Sequence, residues 1–155
     1  MHSQSSGTAL CWRCILCHAM IRAVVDTSVL IRYLIRPSAA IRELIEERWL
    51  GDEVQMVTAP ELIEELESVL RRDTIRALIW PAEGQALLDV IRLRAEILPP
   101  LGAIPPYTRD PKDDKFIACA LAGDVKYIVS VDEDLLAFEA LENIRVVAPD
   151  EFVAL

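Results

Sequence analysis

Histidine is nearly missing from this 155-residue chain: the two it has, His2 and His18, both fall within the first 19 residues. The rest therefore offers no imidazole as a general base. Cysteine is scarce as well. Three of the four, Cys11, Cys14 and Cys17, lie in that opening segment, and only Cys119 stands beyond it. No disulfide framework is indicated, and a reducing cytoplasm is the expected setting. No apolar run reaches the length of a membrane span, because Arg, Asp or Glu interrupts each one. Basic residues are outnumbered, 16 Lys and Arg against 25 Asp and Glu, for a formal net charge of −9. That balance argues against a non-specific nucleic-acid binder with a basic surface. It leaves room for an enzyme that reaches nucleic acid through divalent cations, whose charge inverts the local field.

What is present describes one globular domain, 53% hydrophobic and 26% charged, with no internal repeat and enough length to bury a core. Residues 1–19, MHSQSSGTALCWRCILCHA, are polar and then Cys-rich, without the apolar stretch of a clear signal peptide. They read as an extension from an upstream start or an expression remnant, since Met20 directly precedes the first strand-like run. Cys11, Cys14, Cys17 and His18 could be taken for a zinc cluster, but structural zinc sites draw ligand pairs from two separated knuckles and this is one compact run. Cys119, inside an apolar helix, reads as core.

From residue 20 strand and helix alternate. Residues 21–25 make a β-branched strand ending at Asp26, followed by a helix from Thr27. Pro37-Ser38 opens a helix to Trp49 that Gly51 stops. A strand at 54–58 precedes a helix from Pro60 to about Arg72. Helices at 74–80 and 82–96 are split by Pro81, a short strand at 97–98 leads into the Pro-rich loop 99–106, and a helix covers 113–122. A strand at 127–131, a helix near 134–141, a strand at 144–147 and a turn opened by Pro149 and Asp150 complete the chain. The pattern predicts an α/β domain, a central mostly parallel sheet covered on both faces. Ligands in such sheets bind beyond the carboxyl ends of the strands, where Asp26 and Asp132 both fall.

Carboxylates resist burial and repel one another unless a cation joins them, so their convergence on one sheet edge points to a metal site. In the helix after Pro60 the apolar stripe is Leu62, Ile63, Leu66, Val69 and Leu70. Glu61 and Glu64 fall opposite it and are expected in solvent. Glu65 and Glu67 flank it, and because Arg71 offers Glu67 an ordinary surface pair one turn on, Glu65 is preferred. Asp114 stacks over Ile117, Ala118 and Leu121 at the start of the apolar helix and is expected to point inward, Asp113 less directly. Asp110 reads as a turn residue. Ser130 and Asp132 share a face of their strand, and Asp134 is either a further ligand or a helix cap. Arg22, Arg32, Arg36, Arg109, Lys112 and Lys115 flank the acids and are candidate phosphate contacts, Lys112 and Lys115 being nearest.

Four segments, VVDTSVLI at 24–31, APELIEELESVL at 59–70, RDPKDDKFIACAL at 109–121 and VSVDEDLL at 129–136, with the closing VVAPDEFVAL, resemble the PIN-domain family and within it the toxin-type branch. The resemblance covers residues 20–155. It implies a three-layer α/β/α sandwich with about five strands, whose acids bind Mg²⁺ or Mn²⁺ and cut RNA, leaving 5′-phosphate and 3′-hydroxyl ends. Position by position it implies catalytic and metal-binding roles for Asp26, Glu65, Asp114 and Asp132, with Asp134 accompanying the last. Ser28 stands where an asparagine is common, and Ser130 matches a small hydroxyl position; both, with Asp113, are supporting residues. A cognate antitoxin protein and a homodimer are also implied.

Other chemistries fit less well. A dehalogenase-type phosphatase using Asp26 as nucleophile would want a second Asp two residues on, where Ser28 stands. A receiver domain would want a lysine at a later strand end. A PIN-like scaffold without catalysis is the remaining alternative, and such scaffolds usually lack acids that are all in place here.

Overall fold

The computed structural model describes residues 20–155. The opening segment, with the zinc reading of Cys11, Cys14, Cys17 and His18, lies outside the described residues. Strands β1 (Ile21–Val25), β2 (Val54–Thr58), β3 (Glu96–Ile97), β4 (Tyr127–Val129) and β5 (Arg145–Val147) form one sheet in the order β3-β2-β1-β4-β5. Every pairing is parallel, with Val24 opposite Val57 on one side and Ile128 on the other. The chain builds outward from β1 to β3, then returns to lay β4 and β5 on the opposite side. The order therefore reverses between β1 and β4, where ligand crevices of such sheets open.

Side chains alternate across a strand, and here they supply two separate cores. Ala23 and Val25 join Met56, Val129 and Val147 on one face, while Val24, Val57 and Ile128 turn to the other. The first face is covered by α1 (Thr27–Ile35), by α2 (Ala39–Arg42) and the π-helical stretch Glu43–Trp49 that continues it, by α5 (Pro81–Arg94) and by α8 (Pro149–Val153). The second is covered by α6 (Asp114–Ala122) and α7 (Glu133–Leu136), through Phe116, Ile117, Ala120 and Leu135. Helix α3 (Pro60–Leu70) straddles the sheet edge, giving Leu62 to the second core and Ile63 and Leu66 to the first. This is the three-layer α/β/α arrangement expected from the alternating pattern. Fully burying an aliphatic chain such as Leu44 or Ile117 contributes roughly 1.5–3 kcal/mol each, so apolar periodicity dominates the fold.

The differences from expectation are local. The helix ending at Trp49 widens to π geometry, with the Leu50 N–H donating to the Ile45 carbonyl at 3.1 Å. Gly51 follows because a Cβ there would lie 2.1 Å from the Glu47 carbonyl oxygen. The helix expected over 74–80 is the single turn α4 (Asp73–Arg76), which leaves Leu78 and Trp80 exposed in the link to α5. The helix expected near 134–141 ends at Leu136, and an antiparallel bridge between Leu141 and Ile144 brings the chain into β5. The closing turn is the helix α8, started by Pro149 at its first position. Among the described residues no helix is long and apolar enough to cross a membrane.

Candidate active site

Asp26 follows the last residue of β1. Its N–H donates to the Val129 carbonyl at 2.9 Å, so the β1–β4 ladder runs to the acid itself. The side chain is buried, and its Oδ2 accepts from Ser28 Oγ at 2.7 Å and from Ser130 Oγ at 2.6 Å. Burial raises its pKa, the two serine hydroxyls oppose that, and the charge of Glu65 adds to the rise. Ser130, fully buried, also accepts the Asp132 N–H at 3.0 Å, so one hydroxyl ties the acid after β1 to the acid after β4.

Glu65, on α3, is held from both sides. Thr27 Oγ1 donates to Oε2 at 2.6 Å and Lys115 Nζ pairs with Oε1 at 3.1 Å. Glu67 instead takes Arg71 at 3.6 Å and a close pair with Arg92, on the other flank of the helix. Asp132 is the N-cap of α7, its Oδ1 accepting the Asp134 N–H at 3.0 Å. A pocket of about 410 Å³ gathers Asp26, Glu65, Asp113 and Asp132, with Ser28, Arg32, Arg72, Asp110 and Lys112 also on its wall.

Asp113 lies on that wall, and Asp114 is not part of it. Asp114 does point inward, but toward the preceding loop: its Oδ1 accepts from the Tyr107 N–H at 3.0 Å, the Thr108 N–H at 2.6 Å and Thr108 Oγ1 at 2.8 Å. Three bonds on one buried oxygen fix the end of the Pro-rich loop and leave Asp114 engaged there. Asp113, buried at the residue before α6, faces the other acids. Burial and then the charges of Asp132, Asp26, Asp110 and Asp134 push its pKa up to about 6. Asp113 also borders a second cavity, shared with Arg109 and Asp134.

Several other expectations change in the same way. Glu61 is not solvated: its Oε2 accepts the Leu101 N–H at 2.6 Å, and its buried Oε1 has no partner among the described residues. Arg22 does not reach the pocket, since it donates to the Gly123 carbonyl at 2.7 Å and pairs with Glu96. Arg36 is exposed and away from the pocket wall. Cys119 is buried core as expected, and burial pushes its thiol up to about 12, which removes it as a nucleophile. Thr27 and Thr108 were missed because isolated threonines carry no sequence signal. Each is found only through the carboxylate it serves.

Whether these residues suit a metal can be judged from their chemistry. Five carboxylates line one pocket, and their mutual repulsion, which adds to burial in raising Asp113, is what a divalent cation would relieve. Among the described residues no three acids close on one point as a finished cage. Mg²⁺ does not need one, because it takes one or two carboxylates and keeps most of its waters. The donor set fits such a cation.

The sequence profile of the PIN domain matches residues 22–134. This chain belongs to the PIN-domain family. Among solved structures it is similar to VapBC2 from Rickettsia felis, determined bound to a DNA fragment from its promoter, at 12% identity. That match covers 83% of this chain and 98% of the other, with a TM-score of 0.56. It is also similar to PAE2754 from Pyrobaculum aerophilum, at 14% identity over 86% of this chain and 88% of the other, with a TM-score of 0.54. At these identities the likeness is one of fold. No curated protein sequence matches. PIN domains are generally nucleases, so the acid pocket lies in a nuclease fold.

Proposed function

We propose that this PIN domain is a divalent-metal-dependent endoribonuclease whose acids are Asp26, Glu65, Asp113 and Asp132. The observation that carries the reading is their shared pocket at the β1–β4 reversal, reached from four separate stretches of sequence. One or two of Asp26, Asp113 and Asp132 would hold Mg²⁺ or Mn²⁺ directly, and the remaining acids, with Glu65, would orient its ligand waters. A bound divalent cation supplies activation of water and neutralisation of the charge that gathers on the phosphodiester. The protein's own groups do the positioning. Ser28 and Ser130 fix the Asp26 carboxylate, the α7 cap fixes Asp132, and Thr27 with Lys115 holds Glu65. Arg32, Arg72 and Lys112 on the pocket wall suit phosphate contact. In this reading Asp114 is a positioning residue for the loop, and Asp134, in the first turn of α7, acts on Asp113 through its charge.

The biological role we infer is that of a toxin silenced by a cognate antitoxin, acting as a homodimer in the cytoplasm. It rests on the toxin-type sequence segments and on the fold shared with the VapBC2 structure. A small neighbouring reading frame encoding an antitoxin would support it.

Incubation with total RNA and Mn²⁺, with and without EDTA, tests the chemistry. Cleavage that EDTA stops and Asp26→Asn abolishes supports the reading; cleavage indifferent to both removes it. A silent scaffold would show no cleavage and no thermal stabilisation by Mn²⁺.

A further inference from the structure

We propose that single-stranded RNA reaches the acid pocket along a basic groove over the C-terminal end of α3, with a base stacked on Trp80. The inference rests on the nuclease reading and specifies the form of the substrate.

Trp80 is 76% exposed and Leu78 62%, large apolar side chains held in solvent by the short link between α4 and α5. Trp80 lines a groove of about 310 Å³ with Arg71, Arg76, Leu88 and Arg92. Arg71 and Arg92 share the single carboxylate of Glu67, which leaves that pair of cations in excess by one. Arg76 has no ion-pair partner among the described residues. The groove thus keeps positive charge in a chain whose net charge is −9.

The groove and the acid pocket open on the two sides of the C-terminal end of α3. Leu70 and Arg71 line the groove, and their chain neighbours Val69 and Arg72 line the pocket. Inside the pocket Arg32, Arg72 and Lys112 make no ion pair among the described residues, although five carboxylates share its wall. Cations that leave neighbouring acids unpaired suit an outside anion. A run of guanidiniums beside an open indole matches what a phosphate backbone and an unstacked base require together. A duplex cannot use the indole, because its bases are already stacked inside the helix. An acidic peptide could use the guanidiniums but has no base for Trp80, and the groove's position one helix end away from the proposed phosphodiester-cutting pocket favours RNA.

The test uses the full chain in EDTA with a 5′-fluorescein-labelled 12-nucleotide oligouridylate, read by fluorescence anisotropy across a salt series. A 12-base-pair RNA duplex serves as the second probe. Trp80→Ala should weaken single-strand binding about tenfold, as expected for losing one base–aromatic stack, and leave duplex binding unchanged. Arg76→Ala should reduce the slope of log affinity against log salt by about one. Both side chains are exposed, so both variants should melt with the parent protein. Single-strand affinity unchanged in Trp80→Ala, or reduced equally for the duplex, overturns the proposal. So does a shift of Trp80→Ala from dimer to monomer in sedimentation, which would make the groove a contact between copies. Mn²⁺-dependent cleavage of RNA alongside normal binding by both variants overturns the groove alone. A parent protein that neither binds the oligonucleotide nor cuts RNA overturns the nuclease reading itself.

Discussion

Replacing Asp113 by Asn should stabilise the metal-free protein at neutral pH while removing its activity. The carboxyl is buried, and its pKa is lifted from 3.8 to about 6 by burial first and then by Asp132, Asp26, Asp110 and Asp134. The sign follows from linkage. A carboxyl raised in the folded state binds its proton more tightly there than in the unfolded chain. Its contribution to stability is therefore full below about pH 4 and is lost as pH rises through about 6. At pH 7.5 the ionised Asp113 is a net cost. A shift near two units corresponds to roughly 3 kcal/mol at full value, and solvent in the open pocket screens it to about 1 kcal/mol. For a domain of this size that is about 3 °C in melting temperature. Melts in EDTA should show Asp113→Asn above the parent by that amount at pH 7.5, with the gap closing by pH 4. Mn²⁺ should then raise the parent and not the variant. A variant less stable than the parent at pH 7.5, or a gain independent of pH, would refute the electrostatic account of this pocket.

The neighbouring acid should behave in the opposite way: Asp114→Ala strands the Tyr107 and Thr108 N–H groups, and urea unfolding should record a loss of about 2 kcal/mol. Ser130→Ala should cost about 1–2 kcal/mol, because one buried hydroxyl serves both Asp26 and the Asp132 N–H, and it should weaken stabilisation by Mn²⁺ in a thermal-shift titration. Lys115→Met frees Glu65 Oε1 from its cation, so the same titration should show Mn²⁺ binding tightened by about threefold, as a pair worth under 1 kcal/mol allows. Phe116→Ala, in the second core, should cost about 3–5 kcal/mol by calorimetry.

The sheet was legible because short β-branched or apolar runs alternate with helical segments, and two of those runs lead to the acids Asp26 and Asp132. Val24, Val57 and Ile128 enter one core and Ala23, Met56 and Val129 the other, so these strands are apolar on both faces, as a covered parallel sheet requires. Asp26, Glu65 and Asp132 could be placed at strand ends or on a helix edge by the same counting. The third acid could not, because Asp113 and Asp114 are adjacent and both touch the start of an apolar helix. Asp113 keeps helical dihedrals, φ −87° and ψ −18°, so the helical phase carries on past the first residue of α6 and separates the two side chains by about 100°. Helical stacking assigned Asp114 inward correctly. It could not tell that inward meant the Thr108 loop, which sits there only because the Pro-rich segment returns across the helix start. Glu61 escaped for the same reason, since its partner Leu101 belongs to that loop. Long-range loop contacts have no period, and sequence counting is blind to them.

The two aspartates also show how the pocket divides its labour. A carboxylate that accepts three hydrogen bonds, as Asp114 does, has its charge satisfied by the protein and has little left for a ligand. A carboxylate surrounded by four like charges, as Asp113 is, is left unsatisfied until something positive arrives. Lys115 supplies one such charge to Glu65 and no more, while Arg32, Arg72 and Lys112 line the same wall without pairing to any acid among the described residues. Were the pocket built for stability alone, those cations would neutralise those acids at short range. Keeping both signs apart in one cleft leaves it ready for a ligand that carries both, a divalent cation on the acids and a phosphate on the arginines.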